Sequence, residues 1–189
     1  VEKAINNLKS AGALSPEAIS SVTVAELARI IRPCGYYNSK AVKLKSFVRW
    51  LDEDHHGELS NAFALETVAL RGQLLSVSGI GPETADSIIL YAAGQPAFVI
   101  DAYTRRITAR IGLAPAKASY HDLQHLFTSS LSRDARLFNE YHALLVQHAK
   151  TACRTRPVCH DCLLRDLCRA YTTGTCIPDS PSGKLSARA

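Results

Sequence analysis

The chain has 189 residues, a formal net charge of +5 and a hydrophobic fraction of 47%. That length supports one large domain or two small lobes with a real core, and the basic balance gives a mild attraction to polyanions without identifying one. No run approaches the roughly 20 apolar residues of a membrane helix, and no basic-then-apolar leader opens the chain. A start on Val1-Glu2-Lys3, without an initiator methionine, is read as the loss of an upstream segment.

Helical spacing organises the first half. Val1, Ile5 and Leu8 fall on one face of a helix that Ala11-Gly12 ends, and Ser15-Pro16-Glu17 opens a second with a cap, a first-turn proline and a first-turn acid. Thr23 and Glu26, three apart, form a capping box for a helix through Ile31 that stops before Pro33. Gly35 to Ser39 reads as a loop, and Lys40 to Leu51 as an amphipathic helix with Val42, Leu44, Phe47, Val48 and Leu51 inward. Asp52 to Gly57 reads as a polar connection, with His55 and His56 in solvent because no third metal ligand stands nearby.

The stretch from Leu74 to Arg106 carries the most information. A helix from about Thr67 to Leu75 leads into Gly79-Ile80-Gly81, and Pro82 suits the first position of a second helix that runs to Ala93 and stops at Gly94. Such a turn points unpaired backbone N–H groups outward as a nest for an anion, phosphate above all. An ordinary corner between two helices would use the same glycines. An apolar link, Ala97 to Ile100, is the one extended candidate, and it delivers Asp101 to the start of a third helix, Ala102 to Ile111. By position alone Asp101 reads as an N-cap.

Ser119 to Leu131 and Asp134 to Lys150 repeat at helical spacing, the latter through Leu137, Phe138, Tyr141, Leu144, Leu145 and His148. The fold class is therefore all-α. Cys153, Cys159, Cys162 and Cys168 have the spacing Cys-x5-Cys-x2-Cys-x5-Cys, which points to a metal centre in a reducing compartment rather than to disulfides. A single close pair between two longer arms suits a bulky iron–sulfur cube, with zinc as the alternative. Cys34 and Cys176 fall outside the set as plain thiols, and residues 171–189 read as a mobile tail.

Three blocks resemble one family, the helix-hairpin-helix (HhH-GPD) DNA glycosylases of the endonuclease III type. They are Gly79-Ile80-Gly81 with Gly94-Gln95-Pro96 and Asp101, then Gly35-Tyr36-Tyr37-Asn38-Ser39-Lys40-Ala41, and the cysteine cluster, so the likeness reaches about residue 170. It implies an endonuclease III-like fold of two helical lobes: residues 1–94 with the hairpin, residues 95–170 with a [4Fe–4S] loop, and a tail. The first cysteine arm is one residue shorter than the family's, and the family's upstream helix has no counterpart before Val1.

The resemblance also assigns roles. Asp101 becomes the reacting carboxylate that faces the sugar as positive charge develops at C1′. Glu83 stands where bifunctional members carry a lysine, and a carboxylate cannot form a Schiff base, so strand cleavage is expected to be absent. Gly79, Ile80, Gly81 and Thr84 of the hairpin, Asn38 and Lys40 of the loop, and Lys150, Arg154 and Arg156 beside the cysteines would contact DNA. Tyr36 would wedge into the stack. The hairpin helix resembles the 3-methyladenine branch, which implies an alkylated purine and an anionic pocket suited to a cationic base. Oxidised pyrimidines, mismatched bases, a catalytically inactive DNA-binding paralogue and a redox-sensing cluster protein are the competing expectations. The expected partner is double-stranded DNA with a damaged base, met by a monomer in the cytoplasm, with a monovalent cation at the hairpin as a further candidate ligand.

Overall fold

The computed structural model describes residues 1–175 and divides into two compact units, Val1–Ala93 and Gly94–Ala189. Every regular element among the described residues is helical. Unit one holds α1 (Glu2–Ser10), α2 (Pro16–Ser21), α3 (Val24–Ile30), a 3₁₀ turn at Arg32–Cys34, α4 (Tyr37–His55), α5 (Leu59–Phe63), α6 (Thr67–Ser76) and α7 (Pro82–Tyr91). Unit two holds α8 (Ala102–Ile111), α9 (Tyr120–Ser130), α10 (Ala135–Thr151), a 3₁₀ turn at Arg165–Leu167 and α11 (Arg169–Thr172).

The long α4 is the floor of unit one. Helices α2 and α3 pack on it, and Ala4, Leu8, Ile19, Leu27, Ala41 and Val48 close the core between them. Caps set where the short helices begin: the Ser15 hydroxyl accepts from the Ala18 N–H, and Thr23 and Glu26 satisfy each other reciprocally. The buried face of α1 is Ala4 and Leu8, whereas Val1 and Ile5 are exposed. The small alanine lets α1 approach closely, so bulk was a poor guide to its inner face.

Two further expectations need correction here. The Gly35 to Ser39 loop is shorter than its sequence suggests, because α4 already starts at Tyr37; Val42 on that helix points to solvent. The same helix continues through His55, which is buried, meets Gln73 Oε1 at 2.8 Å and sits edge-on to Trp50. His56 alone takes the expected exposed place, as a left-handed C-cap. The sequence places a polar ring at the surface because its hydrogen-bond partner, Gln73, lies on another helix 18 positions away.

Unit two is built around Phe98. Its ring stacks on Phe127 at 4.2 Å and meets Phe138 and Tyr141 edge-on. The segment 97–100 is buried and extended yet pairs with no strand. Side chains replace a ladder: Gln124 donates to the Phe98 carbonyl and Tyr120 Oη accepts from the Ile100 N–H. Buried backbone polar groups are thus satisfied, and Asp101 follows at a fixed point. On α10 the buried residues are Phe138, His142 and Ala149, while Leu144 is exposed, which shifts the inner face from the expected one. The expected tail begins within α11, and from Cys176 onward it lies outside the described residues.

Candidate functional site

Helices α6 and α7 form a helix-hairpin-helix. Gly79 adopts φ +89°, a region that costs other L-residues, and a Cβ there would lie 2.6 Å from Lys43 Cγ, so the stem of Lys43 runs across it. Gly81 differs: its φ is −97° and nothing stands within 4 Å of the Cβ it lacks. The fold requires a glycine at the first position and leaves open space at the second. Ile80 is buried and its N–H is spent on the Val77 carbonyl, so its side chain anchors the turn instead of facing a strand.

No side chain caps α7, and Pro82 brings no N–H. Among the described residues, the N–H groups of Gly81, Glu83 and Thr84 are the orphan donors of its first turn, with the positive end of the helix behind them. Glu83 and Thr84 are exposed. The hairpin is braced by a pair that sequence reading missed: Arg71 Nε and Nη2 reach Asp86 Oδ1 and Oδ2 at 2.7 and 3.2 Å. Asp86 is fully buried on α7. The only sequence signal was an acid on the inner face of an otherwise apolar helix.

The loop before α4 presents Tyr36 with 89% of its surface exposed, in a left-handed conformation at φ 47°. Its neighbour Tyr37 is instead partly buried and packs on the core of unit one. Of the two expected DNA contacts in this loop, Lys40 donates its Nζ to the Cys34 carbonyl at 2.7 Å and so ties the loop, and Asn38 is exposed.

In unit two, Asp101 is the N-cap of α8. Its Oδ1 accepts from the Thr104 N–H at 2.7 Å and from Thr104 Oγ1 at 2.9 Å. Its Oδ2 faces His142 Nε2 of α10 at 3.6 Å, with both side chains largely buried. Burial pushes the carboxyl up, but His142 and the two Thr104 donors outweigh it and hold Asp101 below its ordinary value. An anion therefore persists in a place that alone would favour the neutral acid. His142 escaped the sequence reading, since an inward histidine on an amphipathic helix has no distinctive local pattern.

The four cysteines line one pocket with Arg110, His148 and Val158. Among the described residues no three His, Cys, Asp or Glu side chains are gathered around a single point. Arg110 Nη1 donates to Cys153 Sγ at 3.3 Å, and the same guanidinium holds the carbonyls of Arg154 and Thr155. Arg106 donates to the Cys153 and Ala149 carbonyls, and His148 Nε2 lies 3.8 Å from Cys162 Sγ. A guanidinium donor on the Cys153 sulfur fits a thiolate there, while burial holds His148 below its ordinary value, toward the neutral ring. Of the expected phosphate contacts, Lys150 and Arg156 are exposed, whereas Arg154 Nε folds back on the Lys150 and Thr151 carbonyls.

Comparison with known proteins follows the same lines. A Methanocaldococcus jannaschii protein, provisionally named DNA repair glycosylase MJ1434, is 41% identical over 169 residues, spanning 89% of this chain and 77% of that protein. The endonuclease III of Sulfolobus acidocaldarius is 29% identical over 164 residues, 86% of this chain and 70% of the enzyme. Among solved structures, a non-covalent endonuclease III–DNA complex matches with a TM-score of 0.72 at 23% identity, over 86% of this chain and 72% of that one, a likeness of fold alone. The H. pylori 3-methyladenine DNA glycosylase (MagIII) bound to 1,N6-ethenoadenine matches with a TM-score of 0.67 at 26% identity, over 78% and 75%. Residues 1–133 match the HhH-GPD superfamily of base excision DNA repair proteins, and the chain belongs to that family as a DNA glycosylase of endonuclease III-like fold.

Proposed function

We propose that this glycosylase is monofunctional: it hydrolyses the N-glycosidic bond of a damaged base in duplex DNA, with Asp101 as its essential carboxylate. The observation that carries this reading is the division of labour on that side chain, one oxygen locked into the helix cap and the other held anionic. As the C1′–N bond breaks, its electron pair leaves with the base and the sugar becomes cationic. A fixed carboxylate lowers the energy of that charge where it develops, and accepts the proton of the water whose oxygen bonds to C1′.

The likeness to a DNA-bound endonuclease III supports DNA as the partner. Gly81 adds a local argument, because open space with free N–H groups lets a strand backbone approach. Thr84, Lys150 and Arg156 add exposed groups for phosphates, and the solvent-facing ring of Tyr36 suits a wedge. Glu83 is the reason for proposing hydrolysis alone: an exposed carboxylate occupies the lysine position, and no imine can form on it. An alkylated purine is the proposed substrate. Its positive charge weakens the bond and suits a pocket with anions, and MagIII is among the matching folds.

The cysteine pocket is assigned to a [4Fe–4S] cluster held by Cys153, Cys159, Cys162 and Cys168. The four sulfurs line one pocket, and one close pair between two longer arms suits a bulky body better than one zinc ion. Bound there, the cluster would supply a rigid scaffold for the loop. Arg110 and Arg106 orient the first arm toward it through the carbonyls they hold.

The test uses duplexes that each carry one lesion, incubated with protein and then treated with hot alkali. Strand breaks that appear only after alkali are expected, and D101N should remove them. Undiminished breaks in D101N overturn the role of the acid, and breaks without alkali overturn the loss of lyase action. Binding of DNA with no base release would leave an inactive DNA-binding paralogue as the correct description.

A further inference from the structure

The hydrolysis proposed above leaves one oxygen of Asp101 for chemistry, and the structure brings a second titratable group to that same oxygen. Oδ1 already accepts two hydrogen bonds from Thr104, so its orientation is fixed by the start of α8. Oδ2 has His142 Nε2 at 3.6 Å, longer than a direct hydrogen bond and within ion-pair reach. His142 sits on the inner face of α10, in a helix pair that packs α10 against α8.

We propose that His142 is the positioning residue of Asp101, holding the oxygen that the helix cap leaves over so that it is aimed and charged when the sugar becomes cationic. The inference rests on the glycosylase reading of Asp101. It concerns a residue that acts through the acid, with no claim that the imidazole touches DNA. During reaction the proton of the attacking water goes to Oδ2, and the neighbouring imidazole keeps that oxygen unprotonated until then. The distance suits such a task, since contacts of this kind are often long without substrate and tighten with it.

Other charges near the pair are already engaged. On α8, Arg105 donates to the Ala118 carbonyl, and Arg106 to those of Cys153 and Ala149. On α10, Arg136 and Glu140 are exposed. His142 acts on Asp101 first as a hydrogen-bond donor and then through space, both in the direction that stabilises the carboxylate. A buried histidine kept only for packing would have no reason to face this oxygen.

Two readouts test the proposal on the full chain. In the first, the side-chain carboxyl carbons are labelled with ¹³C at aspartate and titrated by NMR, with D101N assigning the signal. In H142Q the midpoint of Asp101 should rise by about one pH unit. H142N, which shortens the arm, should behave alike, and circular dichroism confirms that each variant is folded. An unchanged midpoint in folded variants overturns the proposal.

The second readout is single-turnover release of methylated bases from DNA treated with dimethyl sulfate. The acid limb of the rate profile should move up with the midpoint, while affinity for a duplex carrying a tetrahydrofuran site stays within about a factor of two. A lower rate with an unmoved acid limb describes a structural histidine and also overturns the proposal. If the wild-type chain releases no methylated base, the substrate reading fails by itself, and the NMR midpoint still decides the role of His142.

Discussion

The hairpin of unit one and the cysteine loop of unit two are both short irregular stretches beside helices, and they are held by opposite means. The hairpin is braced from inside, by the buried Asp86 carboxylate on Arg71 and by Leu70, Leu74, Val77, Ile80 and Ala85 packed under the turn. The cysteine loop is held from outside, by guanidinium groups that reach from α8 to its carbonyls, while Leu163 and Leu167 remain exposed. One completes itself with apolar burial and a paired charge. The other has less apolar burial, and an arginine frame stands beside sulfurs that line one pocket.

The comparison breaks most decisively at Asp86. Replacing it with alanine leaves Arg71 without its charge partner and opens a space between α6 and α7. A loss of about 2–3 kcal/mol is expected, less than for a pair buried on both sides, because the Arg71 side chain left behind is 31% exposed and can take up water. Urea denaturation of D86A against the wild-type chain measures it. The effect should appear in the cooperative transition, since the hairpin is part of the core. A change below about 1 kcal/mol would mean that the pair is replaceable and the hairpin is held by apolar contacts alone.

Arg110 is the corresponding test in unit two, and its expected effect is smaller and local. R110A removes bonds to the Arg154 and Thr155 carbonyls and to Cys153 Sγ, together about 2 kcal/mol of loop stability. Hydrogen exchange should rise across residues 153–159 and stay unchanged in α6 and α7. If exchange rises in both units alike, the loop is not an independently held element and the contrast drawn above is wrong.

The two hairpin glycines sharpen the same contrast on a finer scale. G79A must adopt a positive φ, which costs about 1–2 kcal/mol, and its Cβ would meet Lys43 at Cγ, near the root of that side chain, so the lysine must change rotamer from its base and the cost rises further. G81A meets neither obstacle and should leave stability within about 0.5 kcal/mol of wild type. Its effect should fall on DNA affinity, measured by fluorescence anisotropy with a tetrahydrofuran duplex. Equal destabilisation by both would remove the argument that the second glycine serves a strand instead of the fold.

How much of this was legible in the sequence depends on the range of the interaction involved. The caps at Ser15 and Thr23 and the bounds of α8 follow from local chemistry and appear where spacing puts them, whereas Ser119 and Asp134, which spacing marks only as helix starts, prove to be N-caps. The glycine hairpin is equally local. His55, Asp86 and His142 were missed because each is defined by a partner from another helix: Gln73, Arg71 and Asp101. Periodicity marks an inner face but says nothing of a polar residue's partner. The short α5 lacked enough residues for any period to show.

The smallest expected effect comes from pH, and its sign separates the caps from the acid. Asp101, Glu26 and Asp122 all have carboxyls held below their ordinary values of 3.8, 4.5 and 3.8. For Asp101 burial opposes the shift and His142 with Thr104 causes it; for Glu26 and Asp122 the capping partners Thr23 and Ser119 cause it. A group whose value is lowered on folding contributes stability above its unfolded value, and loses it as pH falls through the folded one. Stability should therefore be flat from neutral to about pH 5 and decline below that. The D101N variant has no carboxyl to protonate at this position, so its deficit against wild type should shrink as acid removes the same charge from Asp101. Thermal melts of both chains at matched pH measure that difference. A deficit that stays constant into the acid range would mean the Asp101 charge contributes nothing to the fold, leaving its ionisation to serve the reaction alone.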